Sequence, residues 1–119
     1  MDKITKINLL FDYYGDFLTE KQKEIFELYY CYDLSFGEIA EQYGITRQGV
    51  YDIVHRSLRT LKDYEKKLGM LRKYEKLEKK VKNVLNLLSE LRSGVKSSYS
   101  DKFYMICDEV ASILKEGGD

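Results

Sequence analysis

Between Tyr43 and Arg47 the chain has only three residues, Gly44-Ile45-Thr46, and a segment that reads as a helix lies on each side of them. This connection narrows the possible folds more than any other feature. Two helices joined so tightly have little freedom in the angle between them. The first opens with Leu34-Ser35-Phe36-Gly37-Glu38. Here the Ser35 hydroxyl is placed to accept from the Glu38 amide, and the Glu38 carboxylate to reach back to the Ser35 amide. Leu34 and Ile39 hold the positions of a hydrophobic staple across that cap. The helix is expected to run to about Tyr43. Gly44 then takes the left-handed conformation that stops a helix without a Cβ clash. Thr46 caps the second helix at once, and Ile45 with Val50 repeats the staple. Ala40 is small enough for the two helices to approach closely.

On the second helix Val50, Ile53, Val54, Leu58 and Leu61 recur at spacings of three and four, which marks the inward face. Thr46, Arg47, Gln48, Tyr51, Asp52, His55 and Arg56 are left outward, with Gly49 between the two sets. A capped pair of this kind is a helix-turn-helix, and its second helix can enter a DNA major groove. Arg47 and Gln48 have the bidentate chemistry that reads guanine and adenine edges. Tyr51 can stack on a sugar or touch a thymine methyl. Asp52 repels phosphate but can accept from cytosine N4. Ser35 and the helix N-terminus can hold phosphates, as can Arg56, Arg59 and Lys62. His55 stands alone on this face and reads as a surface residue rather than a base. The bland alternative is an ordinary helical corner, which is common in all-α proteins. Two caps, two staples, Ala40, Gly44 and a polar outward face together favour the DNA-binding unit.

From Leu18-Thr19 to Leu61 the chain resembles the fourth region of bacterial sigma factors. The shared pieces are Leu18-Thr19, then Ser35 with Glu38-Ile39-Ala40, then Arg56-Ser57-Leu58-Arg59-Thr60-Leu61. The stretch DYYGDFLTEKQKEIFELYY, taken with the helix-turn-helix, resembles the YlxM family of small bacterial proteins. That resemblance implies an all-α fold: a sigma-region-4-like helix-turn-helix domain followed by a long helix and a C-terminal helix. It also implies a DNA-binding regulator. The family's genes lie beside that of the signal recognition particle GTPase, which implies a role in regulating the targeting machinery. The same resemblance leaves open a non-catalytic module for that GTPase, its RNA or RNA polymerase.

Net charge is zero, which taken alone argues against a strong nucleic-acid binder. Its distribution is uneven. Residues 1–45 carry four basic and nine acidic side chains, residues 46–82 twelve and five, and residues 83–119 four and six. The positive block begins at the second helix of the pair and can steer an anionic partner there. Four phosphate contacts give a modest binder: with a slope near −0.9 per contact, a fourfold rise in salt weakens it roughly a hundredfold. Useful affinity for double-stranded DNA therefore calls for a second module, a homodimer or a protein partner.

The remaining pattern is helical, and the chain has no proline. Ile4, Ile7, Leu10, Phe11 and Tyr14 mark a first helix closed by Gly15. Thr19, with Gln22 at the capping-box position, opens a second whose apolar face is Ile25, Phe26, Leu28, Tyr29 and Tyr32. The cluster of Tyr29, Tyr30, Tyr32 and Phe36 reads as core rather than as a base-stacking platform, because its flanking charge is acidic. Gly69 breaks or kinks the chain after Leu68. Met70, Tyr74, Leu77, Val81, Val84, Leu88 and Leu91 then form a heptad seam, widened by Leu85 and Leu87. The seam can fold back on the first half or pair with a second chain. Lys73, Lys76, Lys79, Lys80 and Lys82 around it form a solvated face or a backbone-tracking patch. After a polar turn, Ser100 is placed to cap a last helix faced by Phe103, Ile106, Cys107, Val110, Ile113 and Leu114, which ends at Gly117-Gly118. The expected division is 1–68, the helix-turn-helix domain, and 69–119, a helical extension for dimerisation or a partner.

No apolar run approaches the roughly 20 residues that cross a bilayer, and no secretory signal is present, so a cytoplasmic protein with no membrane partner is expected. Cys31 and Cys107 read as buried, reduced thiols. One histidine and two distant cysteines make no metal site, and nothing calls for a cofactor. Neither a phosphate-binding glycine loop nor a paired thiol and histidine is present, so catalytic residues are not expected and the chain does not read as an enzyme.

Overall fold

In a computed structural model that describes residues 1–117, six helices follow one another. They are α1 (Lys3–Tyr14), α2 (Glu20–Tyr30), α3 (Phe36–Tyr43), α4 (Arg47–Leu68), α5 (Met70–Leu91) and α6 (Ser100–Gly117). Among the described residues there is no strand. The fold is all-α. It divides into two compact units, Met1–Leu71 and Arg72–Asp119.

The helix starts of the first unit are set by local chemistry. Asp2 accepts from the Thr5 amide at 2.7 Å to open α1. Thr19 and Gln22 form the expected capping box on α2, with bonds of 3.2 and 3.1 Å. Gly15 departs from expectation. It is right-handed (φ −58°), and the chain runs on through a single 3₁₀ turn, Gly15–Phe17, instead of stopping in a left-handed cap. What Gly15 supplies is space, since a Cβ there would lie 3.0 Å from the Phe11 ring. The end of α2 uses a non-glycine residue. Asp33 adopts φ +57°, a conformation that a short polar side chain tolerates.

Two apolar clusters hold the first unit together. Ile7, Leu10 and Tyr14 of α1 meet Leu18, Phe26, Leu58, Leu61 and Leu71. Ile25 of α2 meets Ile39 and Ala40 of α3 and Val50 and Val54 of α4. α4 serves both clusters, so its placement depends on α1, α2 and α3 together. Ser57, which the apolar pattern passes over, is fully buried on the same face. Its hydroxyl donates to the Ile53 carbonyl at 2.7 Å and so goes inside satisfied.

α4 ends at Gly69 in the left-handed conformation (φ +65°), and α5 begins one residue later. The new N-terminus lies within the first unit and is held there. The buried Tyr14 hydroxyl donates to Glu65 at 2.8 Å and accepts from the Met70 amide at 3.1 Å. Glu65 also accepts from the Leu71 amide at 2.9 Å. Two orphan amides of a helix start are thereby satisfied without a Ser, Thr or Asp cap.

The second unit buries much less. Val81 and Phe103 are buried, whereas Val84, Leu87, Leu91, Tyr99, Tyr104, Met105 and Ile106 are exposed. Two 3₁₀ turns, Arg92–Gly94 and Ser97–Tyr99, join α5 to α6. Ser100 is not an accepting cap: it is already right-handed and its hydroxyl donates to the Ser97 carbonyl at 3.1 Å. Of the expected terminator Gly117-Gly118, Gly118 lies outside the described residues. The reading of two buried thiols is also corrected, since Cys31 is exposed and Cys107 half-buried. Cys31 follows the last turn of α2, where the chain has already left the apolar face. No helix among the described residues is long and apolar enough to cross a membrane.

Candidate nucleic-acid interface

The α3–α4 corner is built as its residues dictate. Ser35 Oγ accepts from the Glu38 amide and Glu38 accepts from the Ser35 amide, both at 3.1 Å. Gly44 is left-handed (φ +66°, ψ +35°), and the Ile45 amide closes the turn on the Ala40 carbonyl at 3.1 Å. Thr46 Oγ1 accepts from the Gly49 amide at 3.0 Å. Leu34 and Ile39, and again Ile45 and Val50, join the same apolar cluster, as the two staples require. Caps and staples together fix the start of α4 relative to α3.

Every residue of the candidate DNA-binding set is exposed: Ser35, Thr46, Arg47, Gln48, Tyr51, Asp52, His55, Arg56, Arg59 and Lys62. Nine of them lie on α4 or at its cap. From Gln48 to Lys62 the helix rises about 21 Å. A groove-bound helix reads bases with its N-terminal turns. Arg47, Gln48 and Tyr51 lie in those turns of α4, and Arg59 and Lys62 lie farther along it. Tyr51, Asp52, His55, Arg56 and Arg59 line a shallow depression of about 260 Å³. Both cap hydroxyls accept a bond, and each keeps its own proton to donate to a phosphate.

A helix-turn-helix with an exposed polar second helix agrees with the comparison to known families. Residues 1–100 match the model of the UPF0122 family, described as "Putative helix-turn-helix protein, YlxM / p13 like". The chain belongs to that family. Among relatives, the UPF0122 protein of Desulforamulus reducens is 52% identical over 94 residues, covering 79% of this chain and 80% of its own length. The UPF0122 protein YlxM of Bacillus subtilis is 46% identical over 96 residues, covering 81% of this chain and 84% of its own. A UPF0122 protein of Listeria innocua is 50% identical over 78 residues, covering 66% and 71%.

Three features of this UPF0122 chain's exposed face are not evident from its sequence. The Arg47 guanidinium lies across the first turn of α3, so close that a Cβ at Gly37 would stand 2.9 Å from its Nε. Gly37 is thus the residue that leaves room for Arg47. Gln48 Nε2 donates to Asp52 Oδ1 at 3.0 Å, coupling two residues that the sequence reading treats separately. Their i, i+4 spacing is the available signal. Finally, Tyr51 is not a free aromatic. Its ring lies 3.9 Å from His55 and meets Phe36 edge-on at 5.7 Å. Phe36 stacks on Tyr29 at 4.5 Å, and contacts continue through Tyr30 to Phe26 in the core. Tyr29, Tyr30 and Phe36 act as the wall that supports the face, while Tyr32 is exposed.

Among the described residues no group of His, Cys, Asp and Glu is arranged to hold a metal.

Proposed function

We propose that this protein is a cytoplasmic DNA-binding regulator that uses α4 as a recognition helix and acts as a homodimer. The observation that carries the reading is the division of labour on α4. Val50, Val54, Leu58 and Leu61 are buried, while Arg47, Gln48, Tyr51, Asp52, His55, Arg56, Arg59 and Lys62 are exposed on the other side. The exposed side thus gathers base-reading and phosphate-holding groups along one face of the helix. The homodimer is supported by two points. Four basic contacts on one copy bind weakly at physiological salt. The second unit also exposes Leu87, Leu91 and Met105, each at least 60% accessible, which a second copy can cover. The regulated genes are those of the signal recognition particle pathway, by the resemblance already given.

Fluorescence anisotropy with a random duplex pool, at low and physiological salt and with the mass measured in parallel, tests this. Expected is salt-sensitive binding by a dimer, weakened by Arg47→Ala and by Arg56→Ala. Absence of duplex binding at low salt overturns the reading. A second reading is a non-catalytic module for the signal recognition particle GTPase or its RNA. It is favoured by the acidic first 45 residues and by Asp52 on the exposed face. That RNA belongs in the same titration, and preference for it over duplex decides for the second reading.

A further inference from the structure

We infer that Asp52 is a positioning residue that makes Gln48 a reader of adenine; this rests on the DNA-binding reading above. A glutamine on a helix surface has three side-chain torsions to order, and an unrestrained amide can present either its oxygen or its nitrogen to a base. Here the choice is made by chemistry. The Asp52 carboxylate only accepts, so the Gln48 amide must turn its NH₂ toward it, and the 3.0 Å bond holds it there. Gln48 Oε1 then faces the other way, and the second N–H of Nε2 remains to donate. The side chain thus offers one acceptor and one donor in fixed order.

Adenine presents the complement in the major groove, an N7 acceptor beside an N6 donor. Guanine presents two acceptors, and its O6 would meet Gln48 Oε1. Gln48 is the second residue of α4 after the Thr46 cap, in the turn that reaches base edges. Both partners are exposed, so the bond is not a device of the core. Its carboxylate is also costly next to DNA, since an unpaired negative charge faces phosphates. The bond to Gln48 gives the carboxylate a role on this face other than attraction to phosphate.

Asp52→Ala and Asp52→Asn separate the two effects of the carboxylate. Both remove its charge, and both should tighten binding to random duplex by about threefold, from the repulsion of unit charges near 7 Å in water. The amide carbonyl that D52N introduces still accepts from Gln48, and the methyl group that D52A leaves cannot. On a duplex selected from the random pool by the wild-type protein, one A·T pair should be preferred over G·C by roughly five- to a hundredfold. That preference should vanish in Gln48→Ala, fall about twofold in Asp52→Ala, the worth of an exposed i, i+4 side-chain bond, and be largely retained in Asp52→Asn. Replacing the adenine by 7-deazaadenine removes N7, and should weaken the wild type but not Gln48→Ala. The inference is overturned if Asp52→Ala discriminates as well as wild type, if the two Asp52 variants lose the preference equally, or if the selected site has no adenine that depends on Gln48. Absence of binding to any duplex by the wild type instead removes the DNA-binding reading itself.

Discussion

α4 and α5 are both 22 residues long and meet at Gly69, yet they treat their apolar stripes differently. α4 buries Val50, Val54, Ser57, Leu58 and Leu61. α5 repeats apolar residues with equal regularity but, beyond its first turn, buries only Val81 among those described, and it leaves Val84, Leu87 and Leu91 exposed. The sequence pattern is the same kind in both. Regular apolar spacing therefore says that a helix face is made to be covered, and nothing about what covers it. In the first unit α1, α2 and α3 cover it. In the second, Val84, Leu87 and Leu91 stay exposed, and the proposed dimerisation is placed there on that ground.

The largest expected effect tests the first half of that contrast. Phe26 is fully buried between α1 and α4, and Phe26→Ala should cost ~3–5 kcal/mol, read from urea unfolding of the full chain. Leu87→Ala, at an exposed site, should shift the unfolding of the first unit by less than ~0.5 kcal/mol. Equal effects would break the contrast.

Next comes the apolar surface of the second unit. Leu87→Lys combined with Met105→Lys should convert a two-chain particle to a single chain in sedimentation, with helicity retained. Loss of the second module should weaken duplex binding by roughly a hundredfold. An unchanged mass would mean that this surface is not where copies meet.

Tyr14 holds the start of α5 within the first unit. Tyr14→Phe leaves Glu65 and the Met70 amide each short of a bond and should cost ~1–3 kcal/mol. Burial, with help from Glu65 and against the bond from the Met70 amide, raises the Tyr14 phenol above its ordinary value of 10.0. The native state thus prefers the protonated form. Its stability is complete below about pH 10 and declines as the pH rises through the native value. Tyr30 and Tyr43 are raised as well, so Tyr14→Phe should make the alkaline decline in melting temperature shallower without abolishing it.

Caps give the smallest effect. Thr46→Ala should cost ~1 kcal/mol in thermal unfolding, because Oγ1 accepts from the Gly49 amide. Ser100→Ala should cost little, because that hydroxyl only donates backward to Ser97.

These contrasts also explain what could be read in advance. Caps, staples and the Gly44 turn are local: each needs residues within about five positions, so Ser35, Glu38, Gly44 and Thr46 were legible. The buried face of α4 was legible because its apolar spacing is regular. Ser57 was not, since a hydroxyl that satisfies itself on its own helix leaves no apolar mark. The handover at Gly69 depends on Tyr14 and Glu65, which are 51 residues apart in sequence, and no local pattern announces that pairing. Cys31 was misjudged because apolar neighbours in sequence stood in for neighbours in space. On the exposed face, residue types were readable but their couplings were not. Arg47 over Gly37 and Gln48 with Asp52 depend on side-chain direction, which spacing permits but does not dictate.

The exposed face of α4 has an evolutionary consequence. Gln48, Asp52, His55, Arg56 and Arg59 belong to neither apolar cluster, so exchanging them leaves the scaffold's stability nearly untouched. The proposed recognition can then drift from lineage to lineage while the corner that carries it stays the same. Tyr51 is the exception, since its ring leans on Phe36 and, through it, on the interior. Among descendants of a common ancestor, this position should change only together with its support.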